Sequence, residues 1–145
     1  SASGVADIIM DSADDIFFQS EGTTIAQIKG DEAILDLDGT LVKHTHPSEA
    51  QNPDLELEVL PGTHKKLDEW DTKGYHIVIT TGRKESARKA TEEQLRFAGI
   101  VYDQLIMGFG GGDRILINDR KSNKKEDTAY AINLTRNRGV KDVEL

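Results

Sequence analysis

Short apolar runs alternate with helix-forming segments along this chain from Ala33 onward. Alternation of this kind is typical of a parallel sheet with helices packed on its faces and right-handed crossovers. We therefore predict an α/β fold with a doubly wound, mostly parallel sheet. The predicted strands are 33–37, 75–80, 102–107, 114–118 and 129–134, and the predicted helices are 63–73 and 84–97.

Polar residues follow three of these predicted strands. They are Asp36-Leu37-Asp38, Thr80-Thr81-Gly82-Arg83 and Asn118-Asp119. In parallel sheets, ligands bind beyond the carboxyl ends of the strands. A strand places residues i and i+2 on the same side, so Asp36 and Asp38 would project together. Two carboxylates this close repel one another unless a cation or a shared proton offsets their charge.

Magnesium is the cation that this set of donors favours. Mg²⁺ prefers octahedral oxygen coordination by one or two carboxylates, waters and substrate phosphate. Asp36, Asp119 and the backbone oxygen of Asp38 would supply such a set. The hydroxyl of Thr81 and the amide of Gly82, at the start of the next predicted helix, could bind phosphate oxygens. We therefore expect Mg²⁺ as the cofactor.

Three segments resemble motifs of the haloacid dehalogenase (HAD) superfamily, in its phosphatase branch. Asp36-Leu37-Asp38-Gly39-Thr40-Leu41-Val42 is similar to motif I, Ile77-Val78-Ile79-Thr80-Thr81-Gly82-Arg83 to motif II, and Ile115-Leu116-Ile117-Asn118-Asp119 to motif IV. They occur in the expected order, and the resemblance covers about residues 31–135. It implies a HAD-like Rossmannoid catalytic domain, which we assign to residues 31–145.

The resemblance implies a phosphomonoester hydrolase that works through an aspartyl-phosphate. Asp36 would be the nucleophile, and Asp38 would be the general acid and then the base for the hydrolytic water. The other assigned roles are phosphate binding for Thr81, Gly82 and Lys84, metal binding for Asp36, Asp38 and Asp119, and a supporting role for Asn118.

The motifs depart from the pattern of the superfamily at one position and leave two assignments open. A second acid usually accompanies the motif IV acid, but here Asn118 precedes Asp119 and Asp127 is rather distant. Asn118 can still orient a water or the metal shell. Motif II leaves a choice between Thr80 and Thr81, and we prefer Thr81 because it adjoins Gly82. The basic phosphate-binding residue is also open, and its candidates are Arg83, Lys84, Arg114 and Lys121.

The spacing of the motifs leaves no room for a large cap domain, so we predict a capless member. Its site would be closed by the loop 43–59, by another subunit in a homo-oligomer, or by the substrate itself. Capless relatives include phosphatases of sugar-acid and capsule or lipopolysaccharide precursors, and phosphatases of nucleic-acid ends. The net charge of −8 disfavours nucleic acid as a partner. We therefore expect a small phosphorylated sugar or related metabolite.

The composition limits where in the cell this protein is expected. There is no cysteine, which excludes disulfides and thiolate metal sites. No apolar run approaches the ~20 residues of a membrane span, and residues 1–4 show no feature of a signal peptide. We expect a cytoplasmic protein with no membrane partner.

Residues 1–30 read as an appendage to the catalytic domain. Their pattern predicts a short helix within 5–18 and an edge strand at 23–28. Two other functions remain open. One is a catalytically weak phosphate-binding or regulatory domain fused to a biosynthetic enzyme, and the other is a phosphotransferase, which differs only in the acceptor of the phosphoryl group.

Overall fold

A computed structural model describes residues 31–145 with their side chains and, before them, the backbone of three strands. These are β1 (Asp7–Ser12), β2 (Asp15–Ser20) and β3 (Thr23–Lys29), which form an antiparallel sheet in the order β1-β2-β3. The predicted strand at 23–28 is confirmed, and it is an edge strand of this sheet. The helix predicted within 5–18 is wrong for its described residues.

The reason for that error lies in the pairing of β1 with β2. Ile8 and Ile9 pair in register with Phe18 and Phe17. β-branched and aromatic residues favour strands, and backbone pairing of two such runs stabilises both as strands. The spacing of apolar residues within one segment does not show which strand pairs with it. The segment could therefore be interpreted as a helix.

A second sheet carries the strands of the predicted catalytic domain. It consists of β4 (Glu32–Asp36), β5 (His76–Thr80) and β6 (Gln104–Ile106), all parallel and in the order β4-β5-β6. Helix α1 (Thr63–Thr72) connects β4 to β5, and helix α2 (Arg88–Phe97), preceded by a 3-10 turn at Glu85–Ala87, connects β5 to β6. The α/β class with a parallel sheet is confirmed.

The hydrophobic core lies where this sheet meets the helices. All of β5 after His76 is buried, as expected of a central parallel strand. Trp70 of α1 is fully buried. The largest of the other fully buried apolar side chains are Leu37, Leu41, Ile79 and Leu95. On β4 the buried and exposed residues alternate, so Ile34 is 61% exposed. Neither α1 nor α2, nor any other helix in the described ranges, is long and apolar enough to cross a membrane.

The strands predicted at 114–118 and 129–134 are wrong, because neither segment forms a strand in the structure. Ile115, Leu116 and Ile117 are 84%, 64% and 92% exposed. An apolar run becomes a strand only when a neighbour pairs with its backbone, and these segments have no ladder to either sheet. The glycine-rich turn before them is instead hydrogen-bonded to the end of β5, through Gly108 N to Arg83 O (2.8 Å) and Phe109 N to Thr81 O (3.2 Å).

The C-terminal segment packs closely on the start of α1 through two glycines. Gly62 and Gly139 both have positive φ, at 89° and 86°. A Cβ on Gly139 would lie 2.4 Å from the carbonyl oxygen of Pro61, and one on Gly62 would lie 2.4 Å from Cα of Lys141. The hydrogen bond from Val140 N to Pro61 O (3.0 Å) joins the two segments. Only glycine fits both the backbone conformation and this approach.

Candidate active site

The two aspartates stand at a tight turn that follows β4. The carbonyl of Leu37 accepts hydrogen bonds from the amides of Thr40, Leu41 and Val42 at 3.3, 3.0 and 3.2 Å. Gly39 has φ of 93°, a conformation that glycine adopts without steric strain. The chain therefore turns back directly after Asp38. This turn fixes both aspartates at the carboxyl end of the sheet.

Asp38 is held by a paired arginine and a threonine. Arg83 donates from Nε to Oδ2 of Asp38 (3.1 Å) and from Nη2 to Oδ1 (2.9 Å). Thr81 donates its hydroxyl to Oδ2 of the same carboxylate (3.1 Å). The side chains of Arg83 and Asp38 are only 4% and 14% exposed. A bidentate arginine contact fixes the orientation of a carboxylate as well as its charge environment.

Arg83 is fixed in turn by two polar residues of α2. Its Nη1 donates to the Thr91 hydroxyl (3.0 Å) and to Oε1 of Gln94 (2.6 Å). Thr91 and Gln94 are fully buried. The sequence analysis did not identify these two residues, although their i,i+3 spacing places them on one face of the helix. Arg83 was a candidate phosphate ligand, but its guanidinium is committed to Asp38 and α2.

Asp36 has a different environment. It is the last residue of β4 and is exposed, whereas Asp38 is largely enclosed. Partial loss of hydration by neighbouring protein raises the pKa of Asp36, and the adjacent Asp38 charge raises it further. Arg114 and hydrogen bonds from Leu37 and Thr40 oppose this pKa rise without cancelling it. The two aspartates are thus separated into an accessible carboxyl and an enclosed one.

The predicted phosphate-binding residues lie together after β5, in three different settings. Thr81 is fully buried, and its hydroxyl contacts Asp38 while accepting the amide of Arg83 (3.1 Å). Gly82 is exposed and approached by Gly110, whose carbonyl oxygen would lie 3.0 Å from a Cβ. Lys84 is exposed and precedes the 3-10 turn. Thr80 is buried, and its hydroxyl is 3.5 Å from the carbonyl of Leu35.

Asp119 and Asn118 do not join the aspartate pair in this structure. The carbonyl of Asp119 accepts the hydroxyl of Thr128 (2.6 Å), and Asn118 Nδ2 donates to the same hydroxyl (2.9 Å). Among the residues that the structure describes, no three of His, Asp or Glu are grouped closely enough to hold a metal ion. Asp119 was expected here because the strand at 114–118 would have delivered it. Its role as a metal ligand stays a prediction.

The donors present at the end of β4 fit Mg²⁺ with two oxygens. These are the accessible carboxylate of Asp36 and the backbone oxygen of Asp38. Mg²⁺ usually keeps several waters and binds through one or two carboxylates plus substrate phosphate.

Arg114 is the basic candidate whose charge affects Asp36. Its charge lowers the pKa of that carboxyl against the larger opposing effects. The guanidinium lies 4.8 Å from the ring centre of Phe109 and donates to the carbonyls of Gly110 (3.3 Å) and Gly112 (2.6 Å). Lys121, the fourth candidate, lies in the mostly exposed segment that also contains Asp119. Of the four basic candidates, Arg114 is the one whose charge acts on the pKa of Asp36.

The C-terminal segment also reaches this turn, which the sequence analysis missed. Asn137 has φ of 64° and donates its amide to the carbonyl of Gly39 (2.8 Å), while its side-chain oxygen accepts the amide of His44 (2.8 Å). A Cβ on Gly39 would lie 3.3 Å from Cγ of Arg136. The turn that carries the aspartates is therefore held by residues that lie outside all three motif segments.

The solved structures with partial likeness to this chain include two Pnkp1/Rnl/Hen1 complexes and a phosphatase. No protein-family profile matches this chain, and no curated protein matches it. A Pnkp1/Rnl/Hen1 complex is 25% identical over 59% of this chain and 30% of that chain, with a TM-score of 0.48. The Pnkp1/Rnl/Hen1 RNA repair complex is 25% identical over 66% and 27%, with a TM-score of 0.47.

The third is a D,D-heptose 1,7-bisphosphate phosphatase from B. bronchiseptica complexed with magnesium and phosphate. It is 23% identical over 58% of this chain and 52% of that chain, with a TM-score of 0.43. The chain thus spans between 27% and 52% of the length of these proteins. All three TM-scores are below 0.5, so neither the fold nor the function is argued from these likenesses.

Proposed function

We propose that this domain is a Mg²⁺-dependent phosphomonoester hydrolase of the HAD type. The observation that carries the proposal is the contrast between the two aspartates at the end of β4. Asp36 is accessible, while Asp38 is held through both of its carboxylate oxygens by Arg83. Nucleophilic attack needs an accessible carboxylate, and proton transfer needs an oriented one. The motif resemblance assigns the same two roles.

The reaction then proceeds in two balanced steps. The Asp36 carboxylate attacks the phosphorus and the bond to the leaving oxygen breaks. Asp38 supplies the proton that this oxygen takes up, which requires Asp38 to be protonated in the substrate complex and no longer the carboxylate that pairs with Arg83 in the free protein. Water next attacks the phosphorus of the aspartyl-phosphate, Asp38 takes a proton from that water, and inorganic phosphate leaves as the Asp36 carboxylate is restored. Bound Mg²⁺ would offset the charge of the phosphoryl oxygens and of Asp36.

The residues after β5 would hold the phosphoryl group. Thr81 already contacts Asp38, so its position favours it over Thr80, whose hydroxyl faces the strand backbone. The amide of Gly82 and the side chain of Lys84 are exposed and available to phosphate oxygens. Arg114 would supply positive charge from the opposite segment. Asp119, supported by Asn118, would complete the metal site by moving to the end of β4.

A small phosphorylated sugar or related metabolite is the substrate that we propose. Between β4 and α1 the chain has one 3-10 turn, Pro47–Glu49, and no further helix, which supports the capless assignment. The net charge of −8 supports a free metabolite over a nucleic-acid backbone.

Hydrolysis of a generic aryl phosphate with and without Mg²⁺ tests the proposal. Asp36→Asn should abolish the Mg²⁺-dependent rate and leave the circular dichroism spectrum unchanged. Asp31→Asn is the matched control, because Asp31 is an exposed acid just before the same strand, and it should retain the wild-type rate. Unchanged turnover in Asp36→Asn would remove the assignment of the nucleophile.

The second candidate is a phosphate-binding domain with little or no turnover. The separation of Asp119 from the aspartate pair favours it, because the third predicted metal ligand is then missing. A panel of phosphate esters at saturating Mg²⁺ separates the two functions. Phosphate binding without turnover of any ester would establish the binding domain and reject the hydrolase.

A further inference from the structure

Gln94 is a buried amide that contacts two parts of the molecule at once. Its Oε1 accepts from Nη1 of Arg83 (2.6 Å), and its Nε2 lies 2.6 Å from the carbonyl of Asn52. The same Nε2 is 3.3 Å from the carbonyl of Glu49 and 3.4 Å from that of Ala50. Both ends of the amide are therefore used, one toward the arginine and one toward the loop 43–59.

The carbonyls that Gln94 contacts belong to one short segment, residues 49–52. Ala50 within it is 4% exposed, so the segment is packed down onto the domain. Gln94 itself is fully buried on the inner side of α2. Leaving a buried amide or its partner without a hydrogen bond is costly, because the group cannot return to water. The segment 49–52 and the side chain of Arg83 are thus held by the same residue.

The other end of Arg83 holds both carboxylate oxygens of Asp38. A continuous chain of buried and partly buried hydrogen bonds therefore runs from the backbone of segment 49–52 through Gln94 and Arg83 to Asp38. Such networks act as units, because removing one member leaves the others without partners. The loop 43–59, which contains this segment, is also one of the three elements expected to close a capless site.

We propose that Gln94 is a positioning residue that couples the order of segment 49–52 to the orientation of Asp38, an inference that rests on the proposed function for its catalytic consequence. Gln94 does not touch the reacting groups and acts only through Arg83. Thr91 shares the Nη1 contact but does not contact the loop, so it has no part in the coupling.

Hydrogen exchange in the free protein tests the coupling independently of any activity. Gln94→Met keeps the volume and removes both ends of the amide. The amides of segment 49–52 and the Nε–H of Arg83, which bonds Asp38, should then exchange about tenfold faster, because the segment and the guanidinium lose the side chain that holds them both and open more often. Gln51→Ala is the control, because Gln51 bonds Ser86 from the same loop (3.3 Å) without reaching Arg83. It should leave Arg83 Nε–H at the wild-type rate.

A second variant keeps the test decisive if Gln94→Met does not fold. Gln94→Glu retains an acceptor for Arg83 and loses the donor to the loop. Segment 49–52 should exchange faster, and the coupling predicts that Arg83 Nε–H exchanges faster with it although Arg83 keeps its acceptor at position 94. Faster loop exchange in Gln94→Met with no change at Arg83 would overturn the coupling and leave Gln94 as a loop anchor alone. Unchanged exchange at both places would also overturn it.

The catalytic arm uses Mg²⁺-dependent hydrolysis of an aryl phosphate. Gln94→Met should lower kcat about tenfold with little change in KM, since a misoriented Asp38 affects the chemical step and not ground-state binding. Gln51→Ala should change neither constant. If the wild-type protein shows no turnover, the proposed function fails while the exchange experiment still decides the coupling. A wild-type kcat in Gln94→Met with faster exchange at Arg83 would reject the catalytic consequence.

Discussion

Arg83 binds Asp38 through two parallel contacts, Nε to Oδ2 at 3.1 Å and Nη2 to Oδ1 at 2.9 Å, and both side chains are largely removed from solvent. This ion pair gives different environments to two aspartates that are only two residues apart in the sequence. Asp38 becomes an oriented group within a buried network, and Asp36 is left accessible at the strand end. The difference in environment between the two aspartates follows from this one ion pair.

Replacing Arg83 by Met should destabilise the protein strongly. The substitution leaves Asp38 without its buried counter-charge, and breaking such a pair by removing one partner costs about 3 kcal/mol or more. Urea unfolding of the single and double variants measures it. Asp38→Asn combined with Arg83→Met should be less destabilised than the sum of the two single changes. Strict additivity would mean that the contact contributes nothing to stability.

Asp36→Asn should raise the Tm at neutral pH. The folded protein raises the pKa of Asp36 above its unfolded value, so the charged form is disfavoured in the folded state. That penalty is absent below the unfolded pKa and develops as the pH rises through the folded pKa. The gain in Tm should therefore be present at pH 7 and vanish near pH 3. A gain that is largest at low pH would contradict the assigned direction.

Gly139→Ala should destabilise the protein by about 2 to 4 kcal/mol, from the strained positive φ and from the contact with Pro61. Gly111→Ala is the matched control, because a Cβ there meets nothing within 4 Å. It should change the free energy of unfolding by less than about 0.5 kcal/mol. Equal effects of the two substitutions would show that the C-terminal segment does not dock on α1 as described.

The sequence predicted the parts of the fold that depend on local pattern. Strands β4, β5 and β6 and helices α1 and α2 were all expected, because continuous apolar runs and glycine stops specify them within a few residues. The strand at 114–118 was expected for the same reason and is wrong. Its run of Ile115, Leu116 and Ile117 has strand composition but no partner, and pairing is a property of the whole sheet.

Only a few residues of the candidate site could be predicted from the sequence. Asp36, Asp38 and Thr81 were expected near one another because they follow strands within recognisable motifs, and Thr81 does contact Asp38. Their roles stay predictions. Gln94 could not be identified, since its partners lie 11 residues away at Arg83 and 42 residues away at Asn52. A glutamine in a helix is normally solvated, and only the packed structure shows that this one is fully enclosed.

Direct detection of a phosphoryl group on Asp36 tests the central claim. Asp38→Asn should form the aspartyl-phosphate from an activated aryl phosphate with Mg²⁺ and hydrolyse it slowly, because the base for the water is missing. Rapid quenching and peptide mass spectrometry should then find the mass of one phosphoryl group on the peptide that contains Asp36. Wild-type turnover with no phosphoryl group on Asp36 at any time point, or with the group on another residue, would contradict the account.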